Sequence, residues 1–97
     1  MEAADLADLV KILRQSPDVV SCKLDGGNAL LDLASSCYYR LNSTAATVWD
    51  CIGQGMNRLE ILEHLLNEYD VEREQCSTDV DAIIVSFLEA GLIANDD

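Results

Sequence analysis

The residues able to do chemistry in this chain are few, and their spacing favours no catalytic site. His64 is the single histidine, and at helical spacing it lies beside Glu60, Glu63 and Glu68. A histidine is a candidate general base, but among these carboxylates a solvated helix face is the more ordinary interpretation. One histidine cannot hold a metal, because structural and catalytic sites need three or four ligands. We therefore expect a protein that is not an enzyme and has no metal and no cofactor.

The cysteines also carry no recognisable chemistry. Cys22, Cys37, Cys51 and Cys76 are widely separated and include no Cys-x-x-Cys pair. Such a pair would be needed to pinch a zinc ion or to carry dithiol exchange. Each cysteine falls where an apolar side chain would fit a strand or a helix face. The pattern predicts free thiols that serve as small hydrophobic residues rather than a disulfide framework.

Phosphate and nucleic acid are poor partners for this chain. Gly26-Gly27 suits a hairpin turn and Gly53-Gln54-Gly55 suits a helix end, so neither is a glycine-rich phosphate loop. The chain has 18 acidic and 6 basic residues, a formal net charge of −12, which repels phosphate backbones and favours basic partners. Scattered acids also serve plain solubility. Residues 74–90 contain no Lys or Arg, whereas a DNA-recognition helix needs them.

Length and hydropathy indicate one small domain with an aliphatic core. The chain has 97 residues, of which 49% are hydrophobic, enough for a modest core but too few for a second domain. No apolar run approaches the roughly 20 residues of a membrane helix. The first residues resemble no secretion signal. We expect a cytoplasmic protein with no membrane partner.

Three strands are expected in the first half of the chain. Val19 to Leu24 alternates in polarity, and Asp25-Gly26-Gly27-Asn28 supplies a hairpin turn. Ala29 to Leu33 forms the next strand, and Ala34-Ser35-Ser36 connects it to a third strand, Cys37 to Leu41. These segments predict an antiparallel meander whose third strand has one unpaired edge.

Three helices are expected to follow the strands. The first is capped by Asn42 or Ser43 and ends at Gly53 and Gly55. Asn57 and Glu60 form a capping box for the second, which Asp70-Val71 ends. The third helix starts near Arg73 or Glu74 and stops at Gly91, after which Leu92 can fold back as the hydrophobic contact of the C-terminal cap. Wide apolar stripes on the second and third helices predict that both pack on a common core.

The first fifteen residues carry a separate helical pattern. Leu6, Val10 and Leu13 repeat at helical spacing, and Leu9 and Ile12 widen the stripe. An isolated helix this short is marginal in water. We therefore predict an amphipathic helix over residues 1–15 that packs on its own domain or pairs two copies as a homodimer. The main domain would span residues 16–97.

The order of several short sequences resembles the PqqD-like recognition elements of ribosomally made, modified peptides. The resemblance runs from about Ser16 to Ile93 and depends on order and spacing together, since no single piece is diagnostic. The sequences that carry it are SPDVV (16–20), LLDL (30–33), YYRLN (38–42), TAA (44–46), Trp49, LNEYDV (66–71) and GLI (91–93). It implies an α+β fold: a winged helix-turn-helix with an N-terminal three-stranded antiparallel sheet followed by three helices. The helix over residues 1–15 is an addition that the family does not explain.

The resemblance also implies a function and a site. Members of the family bind the leader region of a precursor peptide by adding it to the third strand, with its side chains in a groove against the third helix. Asp79 would receive a basic leader residue, and Val80 and Phe87 have a core role as the alternative. Trp49 and Leu41 are expected in the hydrophobic core. Carried over by residue, the leader-binding site comprises Cys37, Tyr38, Tyr39, Arg40, Leu41, Cys76, Asp79, Val80, Ile83 and Phe87.

Two pathways remain open for such a domain. The stronger similarity is to the free-standing leader-binding half of a split lasso-peptide maturation protein, whose partners would be a leader peptidase and a cyclase. The alternative is a PqqD-type peptide chaperone that delivers a precursor to a radical-SAM enzyme. A winged-helix transcription regulator is disfavoured by the third helix, which lacks basic residues. An acyl carrier is disfavoured by the strands and by the absence of an Asp-Ser-Leu-like sequence.

Overall fold

The computed structural model describes residues 12–24 and 27–96, which form five strands and three helices. An antiparallel sheet comes first, three helices follow, and a short strand near the end of the chain pairs back to the first strand. The α+β class predicted from the sequence is confirmed. In chain order the elements are β1 (Ile12–Gln15), β2 (Val19–Leu24), β3 (Gly27–Asp32), β4 (Cys37–Leu41), α1 (Ser43–Gly53), α2 (Arg58–Glu68), α3 (Arg73–Glu89) and β5 (Ile93–Asp96).

The three predicted strands form one antiparallel sheet in the order β2-β3-β4. The bounds of β2 and β4 agree with the prediction. The middle strand begins two residues earlier than expected because Gly27 pairs with Leu24, which leaves Asn28 inside the strand opposite Lys23. Alternation along the chain finds a strand reliably, but the pairing across a hairpin decides where the turn ends.

Local capping signals place the helices where the sequence predicts them. The Asn42 side chain accepts a hydrogen bond from the Ala45 amide and caps α1. Asn57 and Glu60 form the reciprocal capping box of α2. These bonds satisfy amides that have no partner within the helix.

The end of α3 is also the predicted one. Gly91 has a φ of +74°, and its amide donates to the Leu88 carbonyl oxygen. The Leu92 amide donates to the Phe87 carbonyl oxygen at 2.9 Å, and the Leu92 side chain is buried. This is a Schellman cap. It turns the chain back so that β5 starts beside the core.

The predicted N-terminal helix is wrong for residues 12–15, which form β1. This strand pairs antiparallel with β5, with Leu13 opposite Asn95 and Gln15 opposite Ile93. Leu13 is buried, and the Gln15 side chain donates to the Trp49 carbonyl oxygen at 2.8 Å. Helical spacing of apolar residues was the only local signal, whereas a strand 80 residues away provides the pairing. The rest of the predicted helix, and the dimer proposed for it, fall in residues 1–11, outside the described part.

A single aliphatic core fills the space between the sheet and the helices. Trp49 packs edge-on against Phe87, with ring centroids 5.7 Å apart and planes at 87°, a favoured aromatic geometry. The predicted core position of Trp49 is confirmed, whereas Leu41 is only half-buried at the margin of the core. The largest fully buried side chains are Leu30, Ile61, Leu65, Ile84, Leu92, Val48 and Val80.

Two of the four cysteines are buried and two are exposed. Cys51 and Cys76 are buried among apolar side chains, as predicted for small hydrophobic residues. The same prediction is wrong for Cys22 and Cys37, which are exposed. They lie on the two outer strands of the sheet, β2 and β4. All four thiols are free.

Residues 12–24 and 27–96 contain neither a membrane-spanning helix nor a cluster of metal ligands. None of the helices in this part is long and apolar enough to cross a membrane. No three side chains of His, Cys, Asp or Glu in it come close enough to hold a metal ion. His64 lies half-buried on α2 and lines none of the cavities described below.

Candidate functional site

Strand β4 is an outer strand whose backbone has one open edge. The Leu33 amide donates to the Asp18 carbonyl oxygen on the β2 side, and the Asp32 carbonyl oxygen accepts from Ser36 on the β4 side. Backbone hydrogen-bonding groups alternate between the two sides of a strand. On β3, the groups of Asp32 and Leu30 therefore point toward β4 and pair with those of Cys37 and Tyr39, respectively. The amides and carbonyls of Tyr38 and Arg40 therefore face the open edge.

An apolar pocket lies beside this edge, between β4 and α3. Its volume is about 400 Å³, large enough for one or two bulky side chains. The strand contributes Tyr39, Arg40 and Leu41, and Ala45 and Leu92 close the floor. Its wall on α3 is formed by Ala82, Ile83, Ser86, Phe87 and Ala90.

Small residues on α3 make the space for this pocket. Ala82, Ser86 and Ala90 follow one another every four residues, so they share one helical face. Ile83 and Phe87 lie next to this row and supply apolar contact surface. Larger side chains at these positions would fill the space between α3 and β4. The short side chains leave it open as a groove.

A second, polar pocket continues the groove past the end of β4. It measures about 330 Å³ and is lined by Asn42, Thr44, Asp79, Ala82 and Ile83. It shares Ala82 and Ile83 with the apolar pocket. We call the two pockets together the groove. It therefore runs along β4 and α3 with an apolar part and a polar part.

Most of the residues predicted for the site lie on the edge or in the groove. Tyr39, Arg40, Leu41, Ile83 and Phe87 line the apolar pocket. Asp79 lines the polar pocket. Cys37 and Tyr38 lie on the exposed edge strand without lining either pocket.

Two predicted site residues lie elsewhere. Cys76 and Val80 are 5% and 1% exposed and face the core. Both sit on the apolar stripe of α3, which is wide enough to serve the core and the groove together. The core alternative is therefore the better description of Val80. Phe87 belongs to both the groove and the core, since it lines the apolar pocket and packs against Trp49.

Several groove residues were missed by the sequence analysis. The spacing of Ala82, Ser86 and Ala90 was a usable signal, because small residues every four positions mark a helix face with room beside it. Asn42 and Thr44 carried no such signal. They join the groove only because α1 starts next to α3, a tertiary contact that local sequence does not encode.

The Tyr39 phenol is held in its neutral form over the physiological pH range. Partial burial raises the pKa of Tyr39 above its ordinary value, and the neighbouring Cys37 thiol and Asp32 carboxylate raise the pKa further. A neutral phenol presents an apolar ring to the groove while its hydroxyl can still donate a hydrogen bond.

Comparison with known families decides the relationship. Residues 27–93 match the family model described as coenzyme PQQ synthesis protein D (PqqD). This chain belongs to the PqqD family. The matched region contains the edge strand and the helix that together form the groove, so the resemblance inferred from the sequence is confirmed.

Two solved structures share the family fold. One, described as lasso peptide synthetase B1 complexed with the leader peptide, is 31% identical and has a TM-score of 0.78. The comparison covers 86% of this chain and 98% of that chain. The other, TbiB1 in complex with the TbiA(beta) leader peptide, is 24% identical with a TM-score of 0.78 and covers 87% of this chain and 98% of its own. A comparison with curated protein sequences finds no match.

Proposed function

We propose that this protein binds the leader region of a ribosomally synthesised precursor peptide and presents it to maturation enzymes. The observation that carries the proposal is an open strand edge running directly beside an apolar groove. An extended peptide needs both, because backbone bonds supply affinity and pockets for alternate side chains supply specificity. Two solved structures of the same fold are described as complexes with leader peptides.

Strand addition accounts for binding of useful strength. Four to six new backbone hydrogen bonds would each contribute about 1 kcal/mol. One or two apolar anchors would add about 2 kcal/mol each. After the loss of peptide freedom, a dissociation constant between about 0.1 and 10 µM is expected. Binding in this range suits a carrier that must release its substrate.

The proposed role is peptide binding without catalysis, since strand addition and groove contacts require no chemical step.

We place the leader antiparallel to β4, because the sheet is antiparallel throughout and such pairing is the more stable. We also infer a winged helix-turn-helix arrangement, supported by the succession of a sheet, three helices and a returning strand.

The maturation partners are proposed from the relatives. The likeness to a lasso peptide synthetase B1 favours a leader peptidase and a cyclase as partners. The alternative, delivery of a precursor to a radical-SAM enzyme as a PqqD-type chaperone, is favoured by the family model. Binding of the purified candidate enzymes to this protein, measured with and without precursor, separates the two.

Leader binding itself is tested by fluorescence anisotropy. A candidate precursor peptide is divided into labelled leader and core fragments, and each is titrated with the full chain. The leader should bind in the low micromolar range or tighter, and the core should not. Equal affinity for both fragments, or binding of neither, would overturn the proposal.

A further inference from the structure

Asp79 in the groove and Arg40 on the edge strand, on the opposite face of the sheet, have no oppositely charged partner among the described residues. We propose that the groove and the edge strand together select the leader peptide by charge order, with a basic side chain held at Asp79 and an acidic side chain beside Arg40. This inference rests on the proposed function and specifies its substrate class. A leader with the two charges exchanged would be rejected.

Among the described residues that line the polar pocket, Asp79 is the ionisable one. Its exposed carboxylate accepts one hydrogen bond, from the Gln75 side-chain amide at 3.0 Å. The two ion pairs between described residues, Arg58–Asp81 and Arg73–Glu63, do not involve it. Gln75 orients the carboxylate without neutralising it. The pocket therefore offers a fixed negative charge to an incoming cation.

Arg40 supplies the complementary charge on the edge strand. Among residues 12–24 and 27–96, its exposed side chain has neither a hydrogen-bond partner nor an ion-pair partner. By strand alternation it lies on the opposite face from Tyr39 and Leu41. The β3 residue directly across from it is Ala29, and the next in that row, on β2, is Cys22. No acid of the sheet in this row neutralises the guanidinium.

Strand addition determines which residues of the leader lie beside Arg40 and Asp79. The backbone of Arg40 faces the open edge, so one leader residue pairs with it directly, and that residue's side chain lies beside the guanidinium. The leader residues before and after it point to the other face, into the apolar pocket. In an antiparallel leader, the residue three positions earlier reaches beyond Leu41, where Asp79 lines the groove. The preferred order from the leader's N-terminus is a basic residue, an apolar anchor, an acidic residue and a second apolar anchor.

The charge order differs from the general effect of net charge. A formal charge of −12 attracts any basic peptide. This attraction does not depend on the order of charged residues in the peptide. Opposite charges on a cross-strand pair contribute only modestly. Reversing one partner replaces attraction with repulsion, for which we expect a loss of affinity of roughly fivefold per position.

The test is selection from a random library of 15-residue peptides by messenger-RNA display against the full chain. Peptides enriched on the parent should show the basic–apolar–acidic–apolar order. With Asp79→Lys the basic preference should become acidic, and with Arg40→Glu the acidic preference should become basic. Glu89→Lys and Lys23→Glu are the matched controls, because they make the same charge changes on α3 and on the sheet without lining the groove. Both controls should keep the parental order.

The possible outcomes distinguish a failure of the charge-order inference from a failure of the proposed leader binding. Failure to enrich any peptide overturns the proposed function and the inference together. Enriched peptides with apolar anchors but no charge order leave peptide binding intact and overturn the inference alone. The inference is also overturned if the controls shift the preference as much as the groove variants do. A final check is rescue: a parental peptide weakened about fivefold by Asp79→Lys should recover when its basic residue is replaced by Glu.

Discussion

Ile83 lies where the two pockets of the groove meet, and it is half-buried there. An apolar leader side chain in either pocket would contact it. Position along α3 alone does not give this role, because Val80, three residues earlier, is 1% exposed and faces the core. The orientation of each side chain toward the core or the groove decides its role.

Replacing Ile83 by Glu should weaken leader binding by about 2 kcal/mol or more, roughly thirtyfold, since a carboxylate would face the apolar anchor without a partner. Val85→Glu is the matched control, because Val85 is exposed on the same helix and lines neither pocket. Affinity is measured by anisotropy. If both variants bind within twofold of the parent, the groove is not where the leader anchors.

How far the site could be predicted differs from residue to residue. Asp79, Ile83 and Phe87 were predicted from the family resemblance, and all three line the groove. The resemblance also implied Cys76, which is buried, since a wide apolar stripe on α3 does not reveal which of its sides meets another element. Thr44 was missed because its place in the groove depends on how α1 meets α3.

Among the elements, β4 carries the central function. Its bounds follow from local alternation and from a turn before it. The chain turns at Ser36, which has a φ of +61°, and the Ser36 amide donates a hydrogen bond to the Asp32 carbonyl oxygen. The residues whose amides face the open edge could not be predicted from the sequence, because they depend on the register of the β3–β4 pairing.

Proline at position 38 tests the open edge while leaving the β3–β4 pairing in place. The Tyr38 amide faces outward, so Tyr38→Pro removes a donor to the leader and none to β3. Tyr38→Ala keeps the amide and is the control for loss of the ring. We expect the proline variant to bind the leader at least tenfold more weakly than the alanine variant, by anisotropy, with unchanged circular dichroism. Equal affinities would count against strand addition at this edge.

Strand β1 is the element that local sequence predicted wrongly, and its contribution can be measured. A variant starting at Ser16 loses the β1–β5 pairing, the buried Leu13 side chain and the Gln15–Trp49 bond. It should melt at least about 5 °C below a variant starting at Ile12, since burial of Leu13 alone contributes about 1.5–3 kcal/mol. Identical melting temperatures would show that β1 adds nothing to stability. We place the boundary of any N-terminal extension before Ile12.

At the scale of the whole molecule, the core and the groove share a few residues, among them Phe87, but most core side chains do not line the groove. The core is aliphatic and encloses two thiols, whereas the groove and edge remain open. Burial raises the pKa of the Cys51 and Cys76 thiols, and the nearby Asp50 and Asp79 carboxylates raise them further. The folded protein therefore holds these protons at a pH where the unfolded chain releases them.

This difference makes stability fall as pH rises above about 9, the ordinary pKa region of a thiol. Below that pH both states are protonated at these groups and their contribution is fully present; above it, the unfolded chain binds fewer protons and is favoured. Urea unfolding at pH 7.5 and about 10, under reducing conditions, should show the loss. The double variant Cys51→Ala/Cys76→Ala should show a smaller loss. An equal pH dependence in both proteins would assign the effect to other groups.

The central claim, that a leader joins the sheet at β4, is tested most directly by amide hydrogen exchange at individual residues. In the free protein the Tyr38 and Arg40 amides should exchange quickly, while the Tyr39 amide, bonded to β3, should already be protected. Saturation with the leader peptide should slow exchange at Tyr38 and Arg40 at least about tenfold, because both amides then donate to the added strand. Unchanged exchange at these two amides in a saturated complex would contradict strand addition, whatever the affinity of the peptide.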